Sequence, residues 1–127
     1  MPDQFHIHLY GPDRGPLPTS FEEAAERLER LDKLYFEPDG SFVWNRDAGR
    51  QQIFGMLYDA AGTLQYVDLR GTASRQTFQS VVDSLLPGVV LADATKCTVV
   101  RLADGSMQDL QSFANLTWGG IENKVQD

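Results

Sequence analysis

The chain has 127 residues, of which 42% are hydrophobic, and this composition excludes an intrinsically disordered protein and suffices for one domain with its own core. Its 18 acidic and 11 basic residues give a net charge of −7, and the scattered basic residues argue against binding to nucleic acid or to an anionic membrane surface. The sequence contains neither an apolar run long enough to span a membrane nor a signal segment, so we expect a cytoplasmic protein.

The first part of the chain predicts a strand, a helix and a hairpin. Residues 5–10 alternate apolar and polar side chains, as in a strand with one buried side. After a loop rich in glycine and proline, Ser20 and Glu23 form the capping box that begins a helix. The apolar segments 34–37 and 41–44 flank Pro38-Asp39-Gly40, which is typical of a hairpin.

The rest of the chain predicts a second hairpin, a second helix, a short strand and a third hairpin. We expect these elements at 52–58 and 64–70, at 74–86, at 89–91, and at 96–102 and 106–110. Residues 111–118 fit either a strand or a short helix.

Acidic and basic residues alternate along the exposed side of the first helix. Their spacing predicts three ion pairs between residues four apart, namely Glu23–Arg27, Glu26–Arg30 and Glu29–Lys33. We interpret this run of charge as a solvated helix face.

The two halves of the chain share an order of elements. The segment 7–11 aligns with 67–71, each is followed by a helix, and each helix is followed by a hairpin that turns on Asp-Gly-Ser. We therefore predict a single domain over 1–127 with a possible internal duplication of a strand-helix-strand-strand unit, at 5–58 and 64–118.

The predicted fold is α+β, with one mostly antiparallel sheet and two helices on one face. Each helix has a single apolar stripe, so each can cover only one side of a sheet. The opposite side of the sheet is then left open to a partner.

This open side is the first candidate site. His6, His8 and Tyr10 lie on one side of the first strand, because alternate side chains of a strand point the same way. The strand at 52–58 is apolar on both sides, so it adds to the open side either Phe54, Met56 and Tyr58 or else Ile53 and Leu57. The predicted binding face consists of His6, His8, Tyr10, Phe54, Tyr58, Tyr66, Asp68 and Arg70.

The two histidines also suggest an alternative site. Two imidazoles on one strand face can fill two positions of a divalent metal site, and Asp68 supplies the carboxylate if its strand is a neighbour, with Glu37 as a second candidate. The order of two strand-helix-strand-strand-strand modules resembles the glyoxalase-type (vicinal oxygen chelate) proteins. This resemblance implies a divalent metal on inward-facing sheet residues, with His6 or His8 in the position of a first-strand histidine.

From these features we expect a non-catalytic module without a cofactor that binds itself, as a homodimer, or another protein through the open sheet face. Aromatic side chains mixed with a few polar groups are typical of interfaces and ligand grooves. The alternative is a metal-dependent enzyme or small-molecule binder of glyoxalase-like architecture, with His6, His8 and Asp68 as ligands. Cys97 lies in an apolar run and is expected to be a buried, inert thiol.

Overall fold

A computed structural model describes residues 3–91 and 94–119 of the chain. Within these residues the strands are β1 (Asp3–Pro12), β2 (Leu34–Phe36), β3 (Ser41–Arg46), β4 (Gln51–Ala60), β5 (Thr63–Ala73), β6 (Cys97–Arg101) and β7 (Met107–Asp109). The helices are α1 (Phe21–Glu29), α2 (Arg75–Leu85) and α3 (Leu110–Trp118), and a 3-10 turn covers Asp47–Gly49.

All seven strands form one sheet in the order β2-β3-β4-β5-β1-β6-β7, and every neighbouring pair is antiparallel. The centre of the sheet is the pair β1 and β5, in which Ile7 lies opposite Leu69 and His8 lies opposite Asp68. The predicted antiparallel sheet is therefore confirmed, and the strands that carry the candidate residues are direct neighbours.

The hydrophobic core lies between one side of this sheet and the three helices. Phe5 on β1 makes edge-to-face contacts with Phe78 of α2 and with Phe113 and Trp118 of α3, which places both helices on the same side. One continuous cluster joins the buried residues of the sheet to those of all the helices, including Ile7, Leu9, Trp44, Ile53, Val67, Leu69, Leu28, Phe78, Val81 and Phe113. The α+β fold with helices on one face is confirmed, with α3 as a third helix.

The segment that fitted either a strand or a helix is the helix α3. Asp109 caps its first turn, because the carboxylate accepts a hydrogen bond from the backbone N–H of Ser112 at 2.7 Å. Phe113 and Ala114 are buried against the sheet, and the indole N–H of Trp118 donates to the carbonyl of Ala73 at 2.9 Å.

The short strand expected at 89–91 is wrong. The side chain of Gln79 on α2 holds this segment instead, because its Nε2 donates to the carbonyl of Val89 and its Oε1 accepts from the N–H of Leu91. A helix side chain therefore satisfies backbone groups that a neighbouring strand would otherwise bind.

The capping box of α1 is confirmed, but only one of the predicted ion pairs on this helix is in contact among the described residues. The Ser20 hydroxyl accepts from the N–H of Glu23, and the N–H of Ser20 donates to the Glu23 carboxylate, which lowers the pKa of Glu23. Arg30 lies 2.8 Å from Glu26. Arg27 makes no direct ion pair with Glu23; its guanidinium donates to the Thr19 hydroxyl, which in turn lies 3.5 Å from the Glu23 carboxylate. The helix ends at Glu29, before Lys33 can complete its turn.

The sheet order gives no support to the internal duplication, which stays a prediction. The connection through α1 leads from β1 to β2 across three intervening strands, whereas the connection through α2 leads from β5 to β6 across one. The first half ends with the strand β4 and the second with the helix α3. No helix among the described residues combines the length and apolar character that crossing a membrane requires.

Candidate binding face

The side of the sheet that faces away from the helices holds all four tyrosines and both histidines of the chain. We call this side the open face. Its central residues are Tyr35, Ser41, Val43, Phe54, Met56, Tyr58, Tyr66, Asp68, Arg70, His6, His8, Tyr10, Thr98, Val100 and Met107. The eight residues of the predicted binding face thus lie together, and of the two alternatives for β4 the structure selects Phe54, Met56 and Tyr58.

Three tyrosines form a row across the middle of the open face. The Tyr66 ring lies between two others, with its centroid 5.4 Å from that of Tyr10 and 4.6 Å from that of Tyr58, and both pairs are stacked. Partial burial raises the pKa of Tyr66, and the neighbouring Tyr58 and Tyr10 hydroxyls add to the effect. The hydroxyl of Tyr66 therefore stays protonated at neutral pH and remains a hydrogen-bond donor.

Beside this row, the two histidines share one carboxylate. The Nε2 of His8 lies 2.9 Å from Oδ2 of Asp68, and the Nε2 of His6 lies 3.1 Å from the same oxygen. An ionised carboxylate can only accept, so each ring donates its Nε2 proton to Asp68. The side chains of His8 and Asp68 are largely covered, whereas His6 is 43% exposed and borders a groove.

The structure supports one part of the metal-site alternative and argues against another. Asp68 does contact both histidines, as predicted if its strand is a neighbour of the first. Both Nε2 atoms, however, already form hydrogen bonds with its carboxylate. No group of three histidine, cysteine, aspartate or glutamate side chains among the described residues is arranged to hold a metal ion. Glu37, the second candidate carboxylate, makes no hydrogen bond or ion pair with either histidine.

A groove of about 530 Å³ crosses the open face from β5 to β2. Its lining is mainly apolar, with Phe54, Met56 and Tyr58 from β4 and Tyr35 from β2. Tyr35 is 66% exposed, Tyr58 41% and Phe54 38%, so these rings are not covered by the described part of the chain. Although β4 is apolar on both sides, it is therefore buried on only one of them within the described part of one copy of the chain.

Arg70 is the basic residue of the groove. Its guanidinium carbon lies 5.2 Å from the centroid of the Phe54 ring, a cation–π contact. Asp68, two residues earlier on the same strand, is held by the imidazoles of His6 and His8. Among the described residues, no ion pair or hydrogen bond joins Arg70 to an acidic side chain.

Charge is sparse on the open face. Of the 29 charged residues in the chain, those that the described residues place there are Asp68, Arg70, Glu37 beside β2 and, at the end of β7, Asp109. The charges behind the net value of −7 therefore lie elsewhere. Depletion of charge together with enrichment in aromatic residues distinguishes the centre of an interface from the remaining protein surface.

The sequence did not reveal Tyr35 as a groove residue, and it suggested Glu37 only as an alternative metal ligand. The alternation in Leu34-Tyr35-Phe36 was a usable signal, because Leu34 and Phe36 pack against the core and Tyr35 must then point to the opposite side. That β2 lies in the same sheet as β5, three positions away, depends on the strand order. Local patterns carry no information on that order.

No protein-family model, curated protein or solved structure significantly matches this chain. The resemblance to glyoxalase-type proteins gains no support from these comparisons. The observed fold also differs from the glyoxalase-type arrangement, because the second half of the chain ends with the helix α3 where that arrangement has the last strand of its second module.

Proposed function

We propose that the protein is a non-catalytic binding module that forms a homodimer through its open face. The observation that carries this proposal is the concentration of all four tyrosines and both histidines on the side of the sheet that bears no described helix. Tyrosine supplies a large contact area and a polar end at a low entropic cost, which is why it is enriched at interfaces.

The size of the open face supports a stable interface. Seven strands at about 4.8 Å spacing give a width of about 30 Å, and strands of three to eleven residues give a mean length of about 20 Å. The resulting area approaches the roughly 800 Å² that each partner contributes to a standard interface. A second copy of the chain presents the same low charge and the same aromatic rows, so two such faces are compatible in polarity.

The edges of the sheet favour contact through the face. Both outermost strands, β2 and β7, contain three residues, so they offer few free backbone groups to a strand of another molecule. Within the described residues, one side of the sheet is covered by helices and both edges are short, which favours association through the open face.

The test is the oligomeric state of the unmodified chain and of Tyr58→Asp, measured by sedimentation equilibrium or light scattering. Tyr58 lies in the tyrosine row, so a buried carboxylate there opposes the interface, and we expect the dissociation constant of the dimer to rise at least about tenfold.

Leu116→Asp is the matched control. Leu116 is 64% exposed on α3, on the opposite side of the sheet, and its replacement changes the net charge by the same amount. We expect this variant to dimerise as the unmodified chain does. A chain that stays monomeric at millimolar concentration, or equal weakening by both substitutions, contradicts the proposal.

We also propose that the protein is cytoplasmic, and its cysteine content is compatible with that location. The chain contains one cysteine, Cys97, and it is buried. Burial raises the pKa of its thiol, which keeps it protonated and unreactive, as an inert thiol is expected to be.

A further inference from the structure

The groove on the open face has the dimensions and lining of a small-molecule site. Its volume of about 530 Å³ falls in the range of ligand pockets, roughly 300–1,000 Å³. Phe54, Met56 and Tyr58 form a floor on one strand, and Tyr35 borders it at the far side. A flat apolar or aromatic body would cover these exposed side chains and remove them from water.

Arg70 gives the groove a preference for an anion. It is the only arginine or lysine among the described residues that line the groove, and its guanidinium carbon lies 5.2 Å from the centroid of the Phe54 ring. The planar guanidinium matches a carboxylate through two parallel hydrogen bonds, and an aromatic ring behind it fixes its plane. Asp68 also lines the groove, but its carboxylate accepts from both His6 and His8 and makes no ion pair with Arg70.

The opposite end of the groove limits the ligand to one negative charge. Glu37 lines the groove next to β2 and is exposed, with no ion pair among the described residues. Three strand spacings of about 4.8 Å separate β2 from β5, so the backbone of Glu37, just after β2, lies about 14 Å across the sheet from the strand that carries Arg70. A second anionic group reaching that end would meet a like charge.

We propose that this groove binds a small amphipathic molecule with a flat, apolar or aromatic body and a single carboxylate, which pairs with the guanidinium of Arg70. This inference rests on the proposed role of the open face as a binding surface, but it does not require that two copies meet there. Ligand and second copy would cover the same residues, so each is expected to weaken binding of the other.

The test uses a pair of probes that differ in charge alone, 2-naphthylacetate and its neutral amide, 2-naphthylacetamide. Titration calorimetry with the full chain measures both affinities over a series of protein concentrations. We expect the acid to bind about tenfold or more tightly than the amide, because hydrogen bonds to a charged group add to the contact of the ring.

Two arginine variants locate the effect. In Arg70→Gln the acid is expected to lose its advantage over the amide, while binding of the amide is unchanged. Arg30→Gln alters the net charge equally but lies at the C-terminal cap of α1, away from the groove, and is expected to behave as the unmodified chain does. Phe54→Leu shortens the floor of the groove and should weaken both probes.

Several results would overturn the inference: equal affinity for acid and amide, equal loss in both arginine variants, or no binding of either probe at millimolar concentration to a chain diluted until it is monomeric. These results leave dimerisation untouched. Conversely, a chain that never dimerises yet binds the acid through Arg70 contradicts the proposed homodimer and upholds the ligand site.

Discussion

At the scale of single residues, two turns of the chain use the same chemistry. In Asp39-Gly40-Ser41 the carboxylate accepts from the N–H of Ser41 at 2.9 Å and from its hydroxyl at 2.7 Å. In Asp104-Gly105-Ser106 the corresponding distances are 3.0 and 2.7 Å. Both glycines have positive φ, which explains why the sequence places glycine between the paired residues.

These hydrogen bonds have a measurable consequence for acid stability. The hydroxyl and N–H of Ser41 lower the pKa of Asp39 in the folded state. The ionised form therefore stabilises the fold above the unfolded pKa, about 3.9, and this contribution is lost as the pH falls through the folded value. In Ser41→Ala, we expect a carboxyl-detected NMR titration to show a higher pKa for Asp39.

Asp104 is the internal control of that titration. Its lowered pKa arises from the N–H and hydroxyl of Ser106, and nothing connects it to Ser41. Its pKa should not change in Ser41→Ala. A shift of both carboxyl groups, or of neither, is inconsistent with the local origin of the effect.

At the scale of elements, Arg27 joins α1 to α2. Its Nε donates to the carbonyl of Ser84 near the end of α2 at 2.7 Å, and its guanidinium also donates to the hydroxyl of Thr19 at 2.6 Å. The last carbonyls of a helix have no partner within the helix, so an arginine from a neighbouring helix fills that need. The same residue would contribute little as the predicted surface ion pair with Glu23.

We expect Arg27→Ala to lower the free energy of unfolding by about 1–3 kcal/mol, because a partly buried carbonyl loses its donor. Arg30→Ala removes an arginine from the same helix whose partner, Glu26, is also exposed, and should cost at most about 0.5 kcal/mol. Urea denaturation of both variants measures the difference. Similar losses in the two variants would mean that Arg27 does not act as the link between the helices.

At the scale of the whole molecule, charge and aromatic surface are separated. The chain carries a net charge of −7, yet the described residues place only one arginine and three acidic residues, Glu37, Asp68 and Asp109, on the open face. Two copies that meet through this face bring like net charges together, while the contact itself contains few charged residues. Long-range repulsion and short-range apolar contact therefore act in opposite directions on the proposed dimer.

This separation predicts how salt affects the dimer. Raising the ionic strength from about 0.05 to about 0.5 M shortens the screening length and weakens the repulsion between the two copies. We expect the dissociation constant to fall about threefold or more in sedimentation measurements. A dimer that weakens with salt would instead depend on ion pairs across the interface, contrary to the proposed apolar contact.

The sequence by itself determined most elements and the side of each strand that its residues occupy. Alternation placed Ile7 and Leu9 in the core and His6 and His8 on the opposite side, because side chains of a strand alternate whatever surrounds them. The capping box of Ser20 and Glu23 identified the start of α1 for a similar reason, since both partners lie within one turn. Information of this kind is contained in a few consecutive residues.

Only the tertiary structure decided which elements meet. Residues 111–118 form a helix in which Phe113 is buried and Trp118 partly buried against β1 and α2. Arg27 donates to a carbonyl of α2 and makes no direct ion pair with Glu23. The groove likewise requires β2 and β5 in one sheet, which brings Glu37 and Arg70 to the same cavity. Contacts between residues distant in the chain depend on the packing of the whole domain, so local patterns cannot specify them.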